Sequence, residues 1–139
     1  ELGGTVRTFS EQVQNLVEER MKKIAGNICE ANDCEFSWHY QKRYPATVNS
    51  DKETKIALSA AQDVCGMEFV DPSTDMVTGS EDFGFMLQEK PGSYIWIGNG
   101  DGEGSCMIHN PGYDFNDEVL PIGATYWVEL AETILAPIT

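Results

Sequence analysis

The chain has 139 residues, 41% of them hydrophobic and 23% charged, with 23 acidic against 9 basic residues and a formal net charge of -14. That is enough for one ordinary domain with its own core. A surface so acidic repels phosphate backbones and anionic lipid, so neither nucleic acid nor membrane is expected as a partner, and no apolar run is long enough to span a bilayer. The first residues carry no signal-peptide pattern, and the opening Glu-Leu-Gly-Gly lacks a start methionine, so the true N-terminus is expected upstream.

Residues 2–9 read as a strand, with Val6, Thr8 and Phe9 suited to a pleated surface and Arg7 facing the opposite side from Val6 and Thr8. Ser10 offers an N-cap, and Thr8 with Glu11 offers an alternative capping box. From Glu11 to about Ala31 the apolar residues Val13, Leu16, Val17, Met21, Ile24, Ala25 and Ile28 recur at three and four. This predicts an amphipathic helix lying on a sheet, with charged residues on its outer face. Asn32-Asp33 makes a turn. Glu35 to about Arg43 then alternates Phe36, Trp38 and Tyr40 against Ser37, His39 and Gln41, which predicts a second strand with His39 on the solvated face. Strand, helix and strand together give the second half of a split βαβ layout.

Tyr44 to Asn49 contains Pro45 and reads as an irregular linker. Ser50-Asp51-Lys52-Glu53 is a capping box opening a second helix, with Ile56, Ala57, Ala60, Ala61 and Val64 as its stripe and Gly66 as its stop. Residues 67–70 and 76–78 are short strand-like pieces. Gly79-Ser80-Glu81-Asp82-Phe83 reads as a strand-to-helix turn, open to two roles: an anion site at a helix start, or plain capping by Ser80. A short helix follows to Gln88. Tyr94-Ile95-Trp96-Ile97 is wholly apolar, as a central strand covered on both faces would be.

The loop Gly98–Gly104 lacks the Gly-Lys-Ser/Thr ending of a phosphate loop and the twelfth-position glutamate of a calcium loop. It reads as a flexible active-site loop or an exposed connection. His109 follows it in Cys-Met-Ile-His-Asn-Pro-Gly-Tyr-Asp-Phe-Asn-Asp, beside backbone that can approach a ligand closely. An imidazole there can ligate a metal or move protons near neutral pH; the plainer alternative is a loop histidine bonded to backbone. Asn116 is the N-cap of a last helix from about Asp117 to Leu135, with Pro121 separating its first turn. Cys29, Cys34, Cys65 and Cys106 form no Cys-x-x-Cys pair, which argues against a structural zinc. They read as reduced, mostly buried thiols of a cytoplasmic protein, with a Cys29–Cys34 disulfide left open.

Four stretches carry a family resemblance: Gly4-Thr5-Val6-Arg7-Thr8-Phe9, Tyr44-Pro45-Ala46-Thr47-Val48-Asn49, Gly79-Ser80-Glu81-Asp82-Phe83, and His109-Asn110-Pro111-Gly112-Tyr113-Asp114-Phe115-Asn116-Asp117. In this order they resemble the zinc aminoacylase and carboxypeptidase family, and more narrowly its hippurate hydrolase and N-acyl-amino-acid amidohydrolase branch. The resemblance implies an α/β fold: residues 1–48 as part of a βαβ lid and dimerisation domain, and residues 49–139 as the C-terminal part of a mixed-sheet, zinc-aminopeptidase-like catalytic domain. It implies a metal-dependent hydrolase of N-acyl, including N-aroyl, amino acids, with two divalent ions, zinc or manganese, in the parent enzyme. His109 would be a metal ligand, with a second-shell acceptor such as Asp114. Arg7 would meet the substrate carboxylate through its paired fork, the plainer alternative being a strand arginine in a surface ion pair, and Gly79 and Ser80 would line the pocket. The family's remaining ligands and its general-base glutamate belong to motifs this chain lacks, so it reads as a C-terminal piece of a larger enzyme, inactive alone and self-associating as a homodimer. A non-catalytic acidic binding or dimerisation module is the alternative.

Overall fold

The computed structural model describes residues 1–135. Four α-helices are present: α1 (Glu11–Ala31), α2 (Asp51–Cys65), α3 (Phe83–Glu89) and α4 (Leu120–Leu135), with single 3-10 turns at Met67–Phe69 and Asp117–Val119. Among the described residues there is no strand and no sheet. The expected α/β fold, with its βαβ lid and its mixed sheet, is therefore overturned. The reason is physical. Alternation fixes which side chains share a face, but a strand exists only where a second segment supplies N–H and C=O partners. Residues 2–9, 35–43, 76–78 and 94–97 have no such ladder, and residues 67–69 coil into a 3-10 turn instead. The alternation itself survives in 35–43. Phe36, Trp38 and Tyr40 lie in a row, with ring centroids 6.2 and 5.9 Å apart, as side chains two apart on an extended backbone do.

The chain divides into two compact units, Glu1–Val48 with Asp75–Pro91, and Asn49–Thr74 with Gly92–Thr139. In the first unit, α1 starts where Ser10 Oγ accepts from the Val13 N–H at 3.3 Å, satisfying one of the free donors of the first turn. Its last turn closes with the Cys34 N–H donating to the Cys29 carbonyl at 2.9 Å and the Asp33 N–H to the Glu30 carbonyl at 3.3 Å. Asp33 between them takes the left-handed conformation, φ 52°. The expected core-facing stripe of α1 is at most partly covered: no residue of the helix is buried, and Leu16, Ile24 and Ile28 are each half exposed or more. Lys42 ties the aromatic segment back to α1 through Asn15 and Glu18, and the Phe36 ring lies against Gly26. α3 sets Gly84 against Pro45. A Cβ at Gly84 would stand 3.1 Å from the Pro45 carbonyl oxygen, so a side chain there would need Pro45 to give by a few tenths of an ångström.

The second unit holds the small core. Ala57 and Ala60 of α2 and Tyr126 of α4 are its buried residues. Two alanines on one face let the helices come close enough to cover the tyrosine ring, and burial pushes the Tyr126 phenol up from its ordinary value. The expected capping box at Ser50 is not made. Ser50 Oγ instead accepts from the Gly92 N–H at 3.3 Å, while the Ser50 N–H donates to the Gly92 carbonyl at 2.9 Å. Beside it the Asn49 side chain both accepts from and donates to the Tyr94 backbone, at 2.8 and 2.9 Å. These contacts fasten the start of α2 to residues 92–94. Gly66 ends α2 at φ 89°, as its position predicted.

Candidate functional site

His109 occupies a tight loop of the second unit, and the loop is built from backbone and asparagine hydrogen bonds. The Asn110 N–H donates to the Met107 carbonyl at 3.2 Å and the Tyr113 N–H to the Asn110 carbonyl at 3.0 Å. Asn110 Oδ1 accepts from the Gly112 N–H at 2.9 Å. Underneath, the Asp114 N–H donates to the Gly104 carbonyl at 2.9 Å. Asn99 then holds the far side: its Nδ2 donates to the Asp114 carbonyl at 2.8 Å and its Oδ1 accepts from the Asn116 N–H at 2.8 Å. The sequence reading missed Asn99; its place in a Gly-Asn-Gly run was the available signal for a loop-organising side chain. Gly104 is forced by its position. At φ 83° its Cβ would lie 2.7 Å from Asp114 Cβ. Glu103, Gly104, Gly112 and Asp114 line an open cavity of about 410 Å³. Asn116 caps the turn that leads into α4, its side chain accepting from the Glu118 N–H at 3.0 Å.

His109 itself is exposed and has φ 70°. The left-handed region costs an L-residue roughly 1–2 kcal/mol, and histidine is among the side chains enriched there. The hydrogen bonds on both sides of it close the loop, and the imidazole stays exposed. No hydrogen bond joins it to Asp114 among the described residues.

Arg7, Gly79 and Ser80 belong to the first unit. Arg7 is exposed, and its Nη1 reaches only the carbonyl of its neighbour Val6, at 3.4 Å. No carboxylate pairs with it among the described residues. Gly79 is exposed, with open space where a Cβ would be. Ser80 is half-buried and does not cap α3, whose cap position is Asp82 without a side-chain bond. None of the four cysteines is fully buried, contrary to expectation: Cys34 is exposed and the other three are intermediate, all as free thiols.

Among the described residues no group of three or more His, Cys, Asp or Glu side chains is placed to hold a metal ion. A catalytic zinc needs about three protein ligands, so the donor set of this chain does not by itself fit a metal centre. Nor is any described helix long and apolar enough to cross a membrane.

Comparison with known proteins supplies what the donor set alone does not. The peptidase family M20/M25/M40 pattern matches residues 4–133. The chain is 32% identical over 127 residues to hippurate hydrolase of Campylobacter jejuni, covering 91% of this chain and 32% of that protein. It is 31% identical over 140 residues to N-acetylcysteine deacetylase of Bacillus subtilis, covering 99% and 35%. It is 29% identical over 140 residues to thermostable carboxypeptidase 1 of Saccharolobus solfataricus, covering 98% and 33%. The chain thus spans about a third of the length of the curated relatives it matches. No solved structure gives a significant match. The resemblance read from the four motifs is borne out: the chain belongs to peptidase family M20/M25/M40.

Proposed function

We propose that this chain is the C-terminal part of a metal-dependent amidohydrolase that cleaves N-acyl, including N-aroyl, amino acids, and that it is inactive alone. One observation carries the reading. A family match running from residue 4 to residue 133 contains all four motifs, and the relatives sharing it include proteins named for hydrolysing hippurate and deacetylating N-acetylcysteine. Both compounds pair an amide bond with a free carboxylate, which is the chemistry the proposed side chains suit. Metal dependence is general in this family. In this reading His109 gives one imidazole to one of two divalent ions, zinc or manganese, and the other ligands come from residues outside this chain. Its exposed position in a strained loop is the kind of local cost that accompanies a working residue. Arg7, which has no carboxylate partner here, takes the substrate carboxylate, and Gly79 and Ser80 line the pocket.

The test has two arms. The chain alone, given zinc, manganese or cobalt, is expected to hydrolyse no N-acyl amino acid; turnover lost in His109→Ala would overturn the inactive-fragment reading. In the full-length enzyme, Arg7→Ala should weaken handling of carboxylate-bearing substrates by about 1.5–3 kcal/mol, as for a hydrogen bond to a charged group. A substrate amidated at that carboxylate should lose little. Equal losses on both substrates leave Arg7 a structural residue.

A cytoplasmic, homodimeric protein belongs to the same reading. The half-exposed stripe of α1 supports self-association, since apolar faces of this kind are covered in assemblies. Sedimentation at micromolar concentration should report a dimer, and Leu16→Glu should return it to monomer; a wild-type monomer removes the dimer from the proposal. The same stripe, on a chain of net charge -14, is what favours the second reading, a non-catalytic acidic dimerisation module. The Arg7 comparison separates the two, because a module without catalysis shows no carboxylate-dependent loss.

A further inference from the structure

The end of α1 brings together two thiols that the hydrolase reading does not use. Cys29 is the third-last residue of the helix, and Cys34 is the second residue beyond the cap Asn32. The Cys34 N–H donates to the Cys29 carbonyl at 2.9 Å, and the Asp33 N–H donates to the Glu30 carbonyl at 3.3 Å. Asp33, at φ 52°, supplies the left-handed residue this pairing requires. These are the two bonds and the backbone twist of a Schellman motif, in which the side chains at these same two positions commonly meet. In most helices that contact is hydrophobic; here both partners are cysteine.

We propose that Cys29 and Cys34 form a redox-closable dithiol site that takes small disulfides as its reaction partners. Residues joined by a main-chain hydrogen bond lie in the range of Cα separations, about 4.4–6.8 Å, that a disulfide spans. The main-chain hydrogen bond that joins the two residues is thus in place before oxidation, which limits the backbone movement that closing the bond requires. Cys34 is exposed and Cys29 half-buried, which orders the steps. The Cys34 thiol loses its proton and its sulfur attacks one sulfur of a low-molecular-weight disulfide. A mixed disulfide forms on Cys34 and one small thiolate leaves. Cys29, deprotonated in turn, attacks the Cys34 sulfur of that mixed disulfide and expels the second small thiolate. The two protein thiols are oxidised to one disulfide, the small disulfide is reduced to two thiols, and the two protons end on them. The Cys34 thiol gives up its 3.4 Å contact with the Asn32 carbonyl, a weak bond. The closed six-residue loop pins the last turn of α1 to the start of the aromatic segment 35–43.

The test equilibrates the whole chain with mixtures of reduced and oxidised glutathione, alkylates the remaining thiols and digests with trypsin. One peptide, residues 24–42, contains both cysteines and neither of the others. It is expected two hydrogens lighter and unalkylated. Cys29→Ser should instead accumulate glutathione on Cys34, an adduct the wild type does not retain. Asp33→Gly should close at least as readily as wild type. Asp33→Val, whose branched side chain resists the left-handed region, should lower the ratio of oxidised to reduced chain at fixed glutathione ratio by at least about fivefold, the lower end of that conformational cost. The proposal is overturned if Cys29 and Cys34 carry separate glutathione adducts, if either pairs with Cys65, Cys106 or a second chain, or if Asp33→Val closes as wild type does.

Discussion

α1 and α2 carry the same kind of sequence and meet different fates. Both have apolar residues at three and four, a serine before the first turn and acids at the start. In the second unit α2 finds α4, and Ala57, Ala60 and Tyr126 are buried. In the first unit the stripe of α1 is larger in side-chain volume, yet none of it is buried. Periodicity tells which face of a helix seeks cover. It does not tell whether the cover lies in the same chain, and here the smaller residues are the ones that found a partner. For these two helices burial follows the packing of α2 on α4 rather than the hydrophobicity of the stripe.

The comparison breaks most visibly at Tyr126. Truncating a buried aromatic costs about 3–5 kcal/mol through lost transfer energy and an unfilled cavity. Tyr126→Ala should remove most hydrogen-exchange protection from the α2 and α4 amides. Leu16→Ala, on the half-exposed stripe of α1, should change α1 protection in the isolated monomer by no more than about 0.5 kcal/mol, as surface substitutions do. A Leu16 loss as large as the Tyr126 loss would mean that α1 is covered after all.

A smaller effect, with a definite sign, comes from the phenol of the same residue. Burial raises the Tyr126 pKa above its ordinary value of 10.0, so the neutral form is the one the folded unit favours. As pH climbs past the unfolded value, the unfolded chain ionises first and gains stability relative to the fold. The second unit should therefore hold full stability below about pH 10 and lose it progressively above, up to the folded pKa. Tyr126→Phe should flatten that part of the profile with little change at neutral pH. Followed by α2 protection against pH, an unchanged alkaline slope in Tyr126→Phe would assign the loss to another group. α1 has no such buried phenol and should lack this dependence.

The two helices also show how far the sequence could be read. The start of α1 at Glu11, its end at Ala31, the stop at Gly66 and the separate first turn before Pro121 follow from local rules, because a helix satisfies its hydrogen bonds within its own segment. The strands failed for the converse reason. Phe36, Trp38 and Tyr40 do share a side, as alternation requires, but strand pairing depends on a second segment that no pattern within 35–43 specifies. The same distinction applies at His109. Glycines and asparagines marked its surroundings as a loop; the left-handed histidine sits in a loop closed by bonds of Gly104 and Asn99 to Asp114, pairings no local pattern specifies. The metal ligand set is a relation among distant residues, and nothing at position 109 encodes its partners.

The smallest expected effect tests how the first unit holds together without a buried core. Lys42 reaches Glu18 at 3.1 Å and also Asn15, and so links the aromatic segment to α1. Its side chain is 46% exposed and that of Glu18 31%. Water and salt screen such a pair, and holding two long side chains in one geometry costs entropy, so its net worth is about 0.2–1 kcal/mol. Lys42→Met keeps much of the apolar stem that can lie along the helix and removes the charge. It should reduce exchange protection in the adjoining turns of α1 by no more than that amount, and the difference from wild type should shrink as salt rises. The Phe36 ring against Gly26 should meanwhile keep the segment in place. A salt-independent loss well beyond 1 kcal/mol would show that the pair is shielded from solvent. The face of α1 around Glu18 would then be covered in solution, and the contrast between α1 and α2 would be one of which chain provides the cover.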